Sequence, residues 1–333
     1  MKVLFIGGTG IISTAVSQLA VNKGIDLYLF NRGNSNEFLP QGAKVIVGNI
    51  NDYDNTKSQL DKHEFDVVVD WIAFTPDDIE RDIKLFKNKT KQFIFISSAS
   101  VYQKPLEHYL ITESTPISNP FWEYARNKIA SEYRLCEEYS KTGFPYTIVR
   151  PSFTYGVTLI PAVVTNNKMP MTLIDRIRKG KKVIVPGDGT SLWVMTHNSD
   201  FAKGFVGLLG NEDAIGEVFH ITSDEVLTWD QIIKTIGEVA GAEPNIVHIP
   251  SDLINHYAPD IGAGLLGDKS TSVVFDNSKI KEFIPEFECT VKYKEGITRS
   301  LKWIENHPKY CGIDQETNAV IDRIISKYEL AFE

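Results

Sequence analysis

Tyr124 and Lys128 stand four residues apart, a spacing that stacks two side chains on one face of a helix. An ammonium held beside a phenol favours the phenolate and lowers a pKa that is ordinarily about 10. A tyrosine tuned in this way passes a proton to or from a carbinol oxygen while a nicotinamide takes or gives hydride. The spacing alone does not single out this pair, because Tyr53 and Lys57 repeat it. Position does. Ser98 closes the apolar run Phe95-Ile96-Ser97-Ser98, and the helical segment with Tyr124 follows as the next element. Strand ends in a doubly wound sheet face the ligand crevice. Ser98, Tyr124 and Lys128 are therefore the candidate catalytic set. Tyr53 and Lys57 follow an outer strand without a serine partner and read as surface residues.

These residues need a scaffold, and the first half of the chain spells one out. Short apolar runs predict strands over Lys2–Ile6, Asp26–Phe30, Lys44–Gly48, Asp66–Asp70, Gln92–Ser97 and Tyr146–Arg150. Amphipathic stretches near Ile11–Asn22, Asp54–Asp61, Asp77–Lys87 and Pro120–Ser140 predict helices between them, with Gly24 and Gly143 at two helix ends. Continuous Val/Ile/Phe strands alternating with helices indicate an α/β fold: a Rossmann doubly wound parallel sheet covered on both faces. After Arg150-Pro151 the rhythm changes. Shorter strands (Lys182–Val185, Glu217–Ile221, Asn245–Ile249) mix with helices such as Asp200–Leu209, Trp229–Val239 and Glu316–Leu330. Residues 1–155 read as a dinucleotide-binding domain. Residues 156–333 read mainly as a smaller C-terminal substrate-binding lobe, with some segments returning to the first sheet.

The first strand runs into Gly7-Gly8-Thr9-Gly10 and then into a helix. Backbone N–H groups and a helix N-terminus then lie where a pyrophosphate would sit. Ile11 and Ile12 continue that turn, and Ser13 takes the third small position of the fingerprint. The second strand ends in Asn31-Arg32 rather than an acidic residue. An acid would bind a ribose 2′-hydroxyl, whereas arginine pairs with a 2′-phosphate, so NADP is favoured over NAD. Arg32 could equally stack on the adenine or stand in solvent. Asn49 and Ile50, after the third strand, are placed near the adenine, and Trp71 and Ala73 border the pyrophosphate and ribose. Ser97 and Pro151 complete the expected cofactor contacts, together with Tyr124 and Lys128.

Composition narrows the function further. Of 333 residues, 42% are hydrophobic and 23% charged, which is ordinary for a globular protein. A formal charge of −8 makes nucleic acid an unfavoured partner. No run approaches the roughly 18 apolar residues of a membrane span, and three scattered cysteines without CxxC spacing fit a reduced, cytoplasmic chain. Seven histidines without ligand spacing argue against a metal site, and His197 reads as a structural hydrogen-bonder.

The motifs in order are GGTGII at Gly7–Ile12, SSASVY at Ser97–Tyr102, YARNK at Tyr124–Lys128 and Arg150-Pro151 with Tyr155-Gly156. GDGT at Gly187–Thr190 follows, with His197 and Asp200 behind it. Together they resemble the extended short-chain dehydrogenase/reductase superfamily, which includes the NAD-dependent epimerases and dehydratases of nucleotide sugars. The stretches LFNRG, VVDWIAFTPDD and ITSDEVLTWD are similar to an atypical, epimerase-like or chloroplast RNA-binding-like branch. The resemblance implies Tyr124 as proton donor or acceptor, Lys128 on the nicotinamide ribose and Ser98 on the substrate oxygen. It implies a sugar-like small-molecule substrate near Ser100, Tyr102, Phe153 and Trp193; homodimers through the Tyr124 helix are common in the group.

Departures from the pattern matter as much. The 4,6-dehydratases carry an Asp-Glu pair after the catalytic hydroxyl, where this chain has Ala99 and Ser100. The arginine that clamps a diphosphate after GDG is absent, with Trp193 near its place. Epimerisation, reduction of a non-nucleotide small molecule with NADPH, and RNA binding on a retained fold remain as readings.

Overall fold

The computed structural model describes residues 1–330. Seven strands form one parallel sheet: β1 (Lys2–Ile6), β2 (Asp26–Asn31), β3 (Lys44–Val47), β4 (Val67–Asp70), β5 (Gln92–Ile96), β6 (Tyr146–Pro151) and β7 (Val218–Ile221). Their spatial order is β7-β6-β5-β4-β1-β2-β3. The chain leaves β1 toward one edge, then returns beside β1 as β4 and builds the other half. That reversal opens a crevice at the carboxyl ends of β1 and β4, where Ile6 pairs with Asp70. The strand at the far edge, β7, comes from the second half of the chain and pairs with β6.

Strand residues point alternately to the two faces of the sheet. Val3 and Phe5 enter a core with Val16 and Ala20 of helix α1 (Ser13–Asn22). Leu4 and Ile6 enter the opposite core with Ile79 and Ile83. Helices α2 (Tyr53–Leu60), α3 (Pro76–Phe86) and α4 (Glu123–Thr142) cover this second face. Helix α5 (Asn198–Leu208) joins α1 on the first, through Phe201 and Phe205. Burial on both faces explains why these strands read as unbroken apolar runs.

Helix ends follow local chemistry. Thr75 caps α3 reciprocally with Asp78, and Pro76 fills the first turn. Helix α4 starts at Glu123, three residues after the expected Pro120. The Asn119 carboxamide oxygen accepts from the N–H groups of Phe121 and Trp122 at 3.1 and 3.2 Å, holding that stretch as a turn.

The second lobe has its own core, in which Trp193 and Trp229 stack with centroids 5.6 Å apart. It carries a sheet of strands 153–155, 192–197 and 226–228 and a parallel pair of 182–186 with 245–249. Among the described residues no helix is long and apolar enough to cross a membrane.

Candidate active site

The crevice at the sheet reversal holds two joined cavities. One, of about 340 Å³, is lined by Phe30, Asn31, Arg32, Gly48, Asn49, Ile50 and Asn51. The other, of about 540 Å³, extends from the glycine turn past Trp71, Ser97 and Ser98 to Tyr124, Lys128, Pro151 and Ser152. Gly7, Thr9, Ser35, Ile72 and Phe74 line both, so the two form one continuous groove.

The turn after β1 is built to approach a ligand. Gly7 and Gly8 have φ of +95° and +94°, a backbone region that other residues rarely enter. A Cβ on Gly8 would lie 2.6 Å from Leu29 Cδ2, so only glycine fits between turn and sheet. Ser13 does more than pack: its Oγ accepts from the Gly10 N–H at 2.8 Å, and Ser17 Oγ donates to the Gly8 carbonyl at 2.8 Å. The turn is thereby fixed before anything binds.

Arg32, at the narrow end, is exposed and has no ion pair or hydrogen bond among the described residues. Asn31 Oδ1 is occupied by the Gly33 N–H at 2.9 Å and Asn49 Oδ1 by the Asn51 N–H at 3.2 Å. The Trp71 indole N–H and the Ser152 hydroxyl, at the wide end, have no partner among the described residues. A dinucleotide fits these features: a glycine cradle for the pyrophosphate, a free guanidinium at one end and orphaned donors at the other.

At the wide end α4 presents Tyr124, Lys128 and Glu132 at successive turns of one face. Lys128, 2% exposed, donates from Nζ to the Ala73 carbonyl at 2.6 Å and the Ile96 carbonyl at 2.7 Å. Its Nζ lies 4.8 Å from the Phe74 ring centroid and 5.8 Å from that of Tyr124. Burial pushes Lys128 down to about 8, against the opposing pull of Asp70, Asp78 and Glu132. Asp70 shapes the loop that supplies the Ala73 carbonyl. Its Oδ1 accepts from the Ile72 and Ala73 N–H groups at 2.5 and 2.8 Å, and Arg81 lies 3.1 Å from Oδ2. Beneath it Asp82 is fully buried, and burial together with Asp70 holds its carboxyl well above the ordinary range.

Tyr124 corrects one expectation. The lysine was expected to lower the phenol, yet burial raises the phenol's pKa and Asp268 adds to that, while a hydrogen bond with Ser98 opposes it. The ammonium is drawn toward two carbonyls, and desolvation of the phenolate dominates. Near neutral pH the set is a protonated phenol beside an ammonium.

Other expected residues stand behind the wall rather than on it. The 3₁₀ turn Ala99–Val101 after β5 rotates Ser100 and Tyr102 inward, leaving each 1% exposed. Ser100 Oγ donates to Ser98 Oγ at 2.9 Å, and the Tyr102 hydroxyl pairs with His220 Nδ1 at 3.0 Å. Trp193, also 1% exposed, is committed to the lobe core. Ser97 reaches the groove, but its hydroxyl donates to Glu132 at 2.5 Å. Glu132 in turn grips Arg150 at 2.6 and 3.0 Å, a buried pair that ties α4 to β6. Phe153 is half-buried beside Lys269, and Ala73 contributes its carbonyl rather than a contact surface.

Away from the groove, Lys57 of the second Tyr–Lys pair, on α2, bridges to Asp61 just beyond the helix end. His197, 5% exposed, caps α5 and is pushed down to about 4 by burial. Sequence reading missed Phe74, which is 49% exposed and lies 6.4 Å from the Tyr124 ring. An exposed aromatic next to a strand end is the signal that marks it. Lys104, Asp268 and Lys269 were also missed, and no motif carries them.

Comparison with known proteins agrees with this architecture. A family model for the NAD dependent epimerase/dehydratase family matches residues 3–222. The chloroplast stem-loop binding protein of 41 kDa b from Arabidopsis thaliana is 30% identical over 74% of this chain. That match spans 65% of the relative's own length, under two thirds of it. UDP-glucose 4-epimerase of Lactobacillus helveticus is 26% identical over 93% of this chain and 98% of its own. Among solved structures, a Bacillus cereus UDP-glucuronic acid 4-epimerase in complex with UDP-glucuronic acid and NAD superposes with a TM-score of 0.73. It is 19% identical and covers 92% of this chain and 99% of its own. With a family match over more than half its length, this chain belongs to the NAD dependent epimerase/dehydratase family, a family of enzymes.

Proposed function

We propose that the protein moves hydride at a secondary alcohol or ketone of a sugar-like substrate, with Tyr124 as the acid–base group. The observation that carries this reading is the convergence of Ser98, Tyr124 and Lys128 at the end of a groove that begins on the glycine turn. A bound nicotinamide dinucleotide would supply and accept the hydride. Gly7, Thr9 and Gly10 would hold its pyrophosphate, and Lys128 its nicotinamide ribose. In reduction the neutral phenol of Tyr124 hands its proton to the carbonyl oxygen, and the Lys128 ammonium steadies the phenolate left behind. The Ser98 hydroxyl, ordered by Ser100, donates to the same oxygen. In epimerisation the deprotonated phenol of Tyr124, steadied by the Lys128 ammonium, takes the hydroxyl proton first and returns it after the ketone turns its other face.

Protein purified without denaturation should carry a nicotinamide dinucleotide detectable by mass spectrometry. Tight retention without net change in nicotinamide absorbance marks an epimerase; steady consumption marks a reductase. Protein that carries none and binds none on addition would overturn the reading.

The free Arg32 and the lack of an acidic residue at Asn31 support NADP over NAD; the Bacillus cereus structure holds NAD. Arg32→Ala should weaken NADPH binding by about ten- to a hundredfold, the loss of one charged hydrogen bond, while NADH binding stays within twofold. Equal effects on both cofactors would sink this preference.

The stem-loop binding relative favours a second reading, RNA binding on a retained fold. A basic run, Lys179-Gly180-Lys181-Lys182, would have to serve it, and it is largely neutralised inside the chain: Lys179 pairs with Asp175, Lys182 with Glu329 and the adjacent Arg178 with Glu305. A salt-sensitive gel shift of stem-loop RNA, abolished by Lys179→Ala with Lys182→Ala, would reverse that preference.

A further inference from the structure

We infer that Lys104 and Lys269, which meet at Asp268 beside Tyr124, bind an oxyanion of the substrate, a carboxylate or phosphoryl group on the molecule that carries the reacting carbinol. The inference rests on the hydride-transfer reading and names a class of substrate for it.

Two ammonium groups meet at Asp268, and only one of them is paired with its carboxylate. Lys269 Nζ lies 2.7 Å from Asp268 Oδ2, whereas Lys104 Nζ reaches only the Asp268 backbone carbonyl, at 3.1 Å. Lys104 is 4% exposed and uses one of its three N–H donors among the described residues. Burial lowers its pKa and the Lys269 charge adds to that, with Asp268 opposing. A buried cation with idle donors and half a counter-charge is stabilised by a second anion.

Aromatic rings surround the Lys269 ammonium. Lys269 Nζ lies 5.4, 5.5 and 5.7 Å from the ring centroids of Trp122, Phe153 and Trp193, which attract a cation without neutralising it. The indole N–H of Trp193 is buried without a partner among the described residues.

The cluster adjoins the candidate catalytic set. The Trp122 ring is 4.9 Å from that of Tyr124, and the Asp268 charge is close enough to raise the Tyr124 phenol. Phe153 follows Ser152, which lines the groove. The segment that carries Lys269 is fixed from both sides. Asn119 Nδ2 donates to the Gly267 and Ser100 carbonyls at 2.6 and 2.8 Å, and the Trp229 indole donates to the Lys269 carbonyl at 3.0 Å. A Cβ at Gly267 would lie 2.7 Å from Trp122 Cβ. Lys269 is thus pre-positioned between the Tyr124 helix and the second lobe.

Calorimetric titration of the NADPH-loaded protein with glucuronate, inorganic diphosphate and glucose tests this. One or both anions should bind at least about tenfold more tightly than glucose, in line with one added charged hydrogen bond. The tighter of the two tells a carboxylate from a phosphoryl group. Lys269→Met should remove about tenfold of that preference and Lys269→Arg should keep it; Lys104→Met repeats the test from the other ammonium. Equal binding of all three probes, or a preference untouched by both methionine variants, would overturn the inference. NADPH binding, followed separately by nicotinamide fluorescence, keeps the outcomes apart: its loss in the unaltered protein overturns the hydride-transfer reading, whereas retained NADPH without anion preference overturns only the anion site.

Discussion

Exchanging Tyr124 for phenylalanine should slow hydride transfer by about two to four orders of magnitude, the range of a lost general acid–base group. The change removes one hydroxyl and keeps the ring that packs 4.9 Å from Trp122 and 6.4 Å from Phe74. Folding and dinucleotide affinity should therefore stay close to those of the unaltered protein. Because burial keeps the phenol protonated near neutral pH, the proton-donating direction should suffer first. The measurement is single-turnover nicotinamide absorbance with a sugar nucleotide or ketone that the unaltered enzyme reduces. Tyr53→Phe serves as the control, since its lysine neighbour Lys57 is bound to Asp61 on the far side of the sheet order. Unchanged turnover in Tyr124→Phe would leave the mechanism without its acid.

The two halves of the chain were not equally legible. The strands around the crevice could be read because each is buried on both faces, which forces unbroken apolar runs such as Val3-Leu4-Phe5-Ile6. The glycine turn could be read because close approach to Leu29 admits no side chain. Motif register, however, gives position along the chain and not the direction of a side chain. Ser100, Tyr102 and Trp193, read from that register as substrate contacts, face the core instead of the groove. The charge balance was hidden for another reason. Lys104 and Lys269 lie 165 residues apart and meet at Asp268, one on its backbone carbonyl and the other on its carboxylate, so no local pattern announces them. Likewise, the carbonyls of Ala73 and Ile96 that draw Lys128 away from the phenol come from two other elements. Pairwise spacing on one helix cannot report a third and fourth partner.

Lys128 should set the alkaline limit of the reaction. Its pKa in the folded protein is about 8, below the value of about 10.4 for an exposed lysine. Above pH 8 the folded site loses the ammonium that steadies a Tyr124 phenolate, so reductive kcat/KM should fall with an apparent pKa near that value. Stability should move the other way. Between pH 8 and 10.4 the unfolded chain holds a proton that the folded site has released, so this group's contribution to stability rises with pH through that window. Below pH 8 it is a constant cost, on the order of 3 kcal/mol. Lys128→Met should abolish the alkaline limb and flatten this part of the stability profile. It should also lose at least about tenfold in dinucleotide affinity, as expected when a charged hydrogen-bond donor to the ribose is removed. Lys128→Arg keeps a charge that does not titrate in this range, so its limb should move beyond reach while the Ala73 and Ile96 carbonyls keep a donor. An alkaline limb that persists unchanged in both variants would assign the titration to another group and remove Lys128 from the acid–base set.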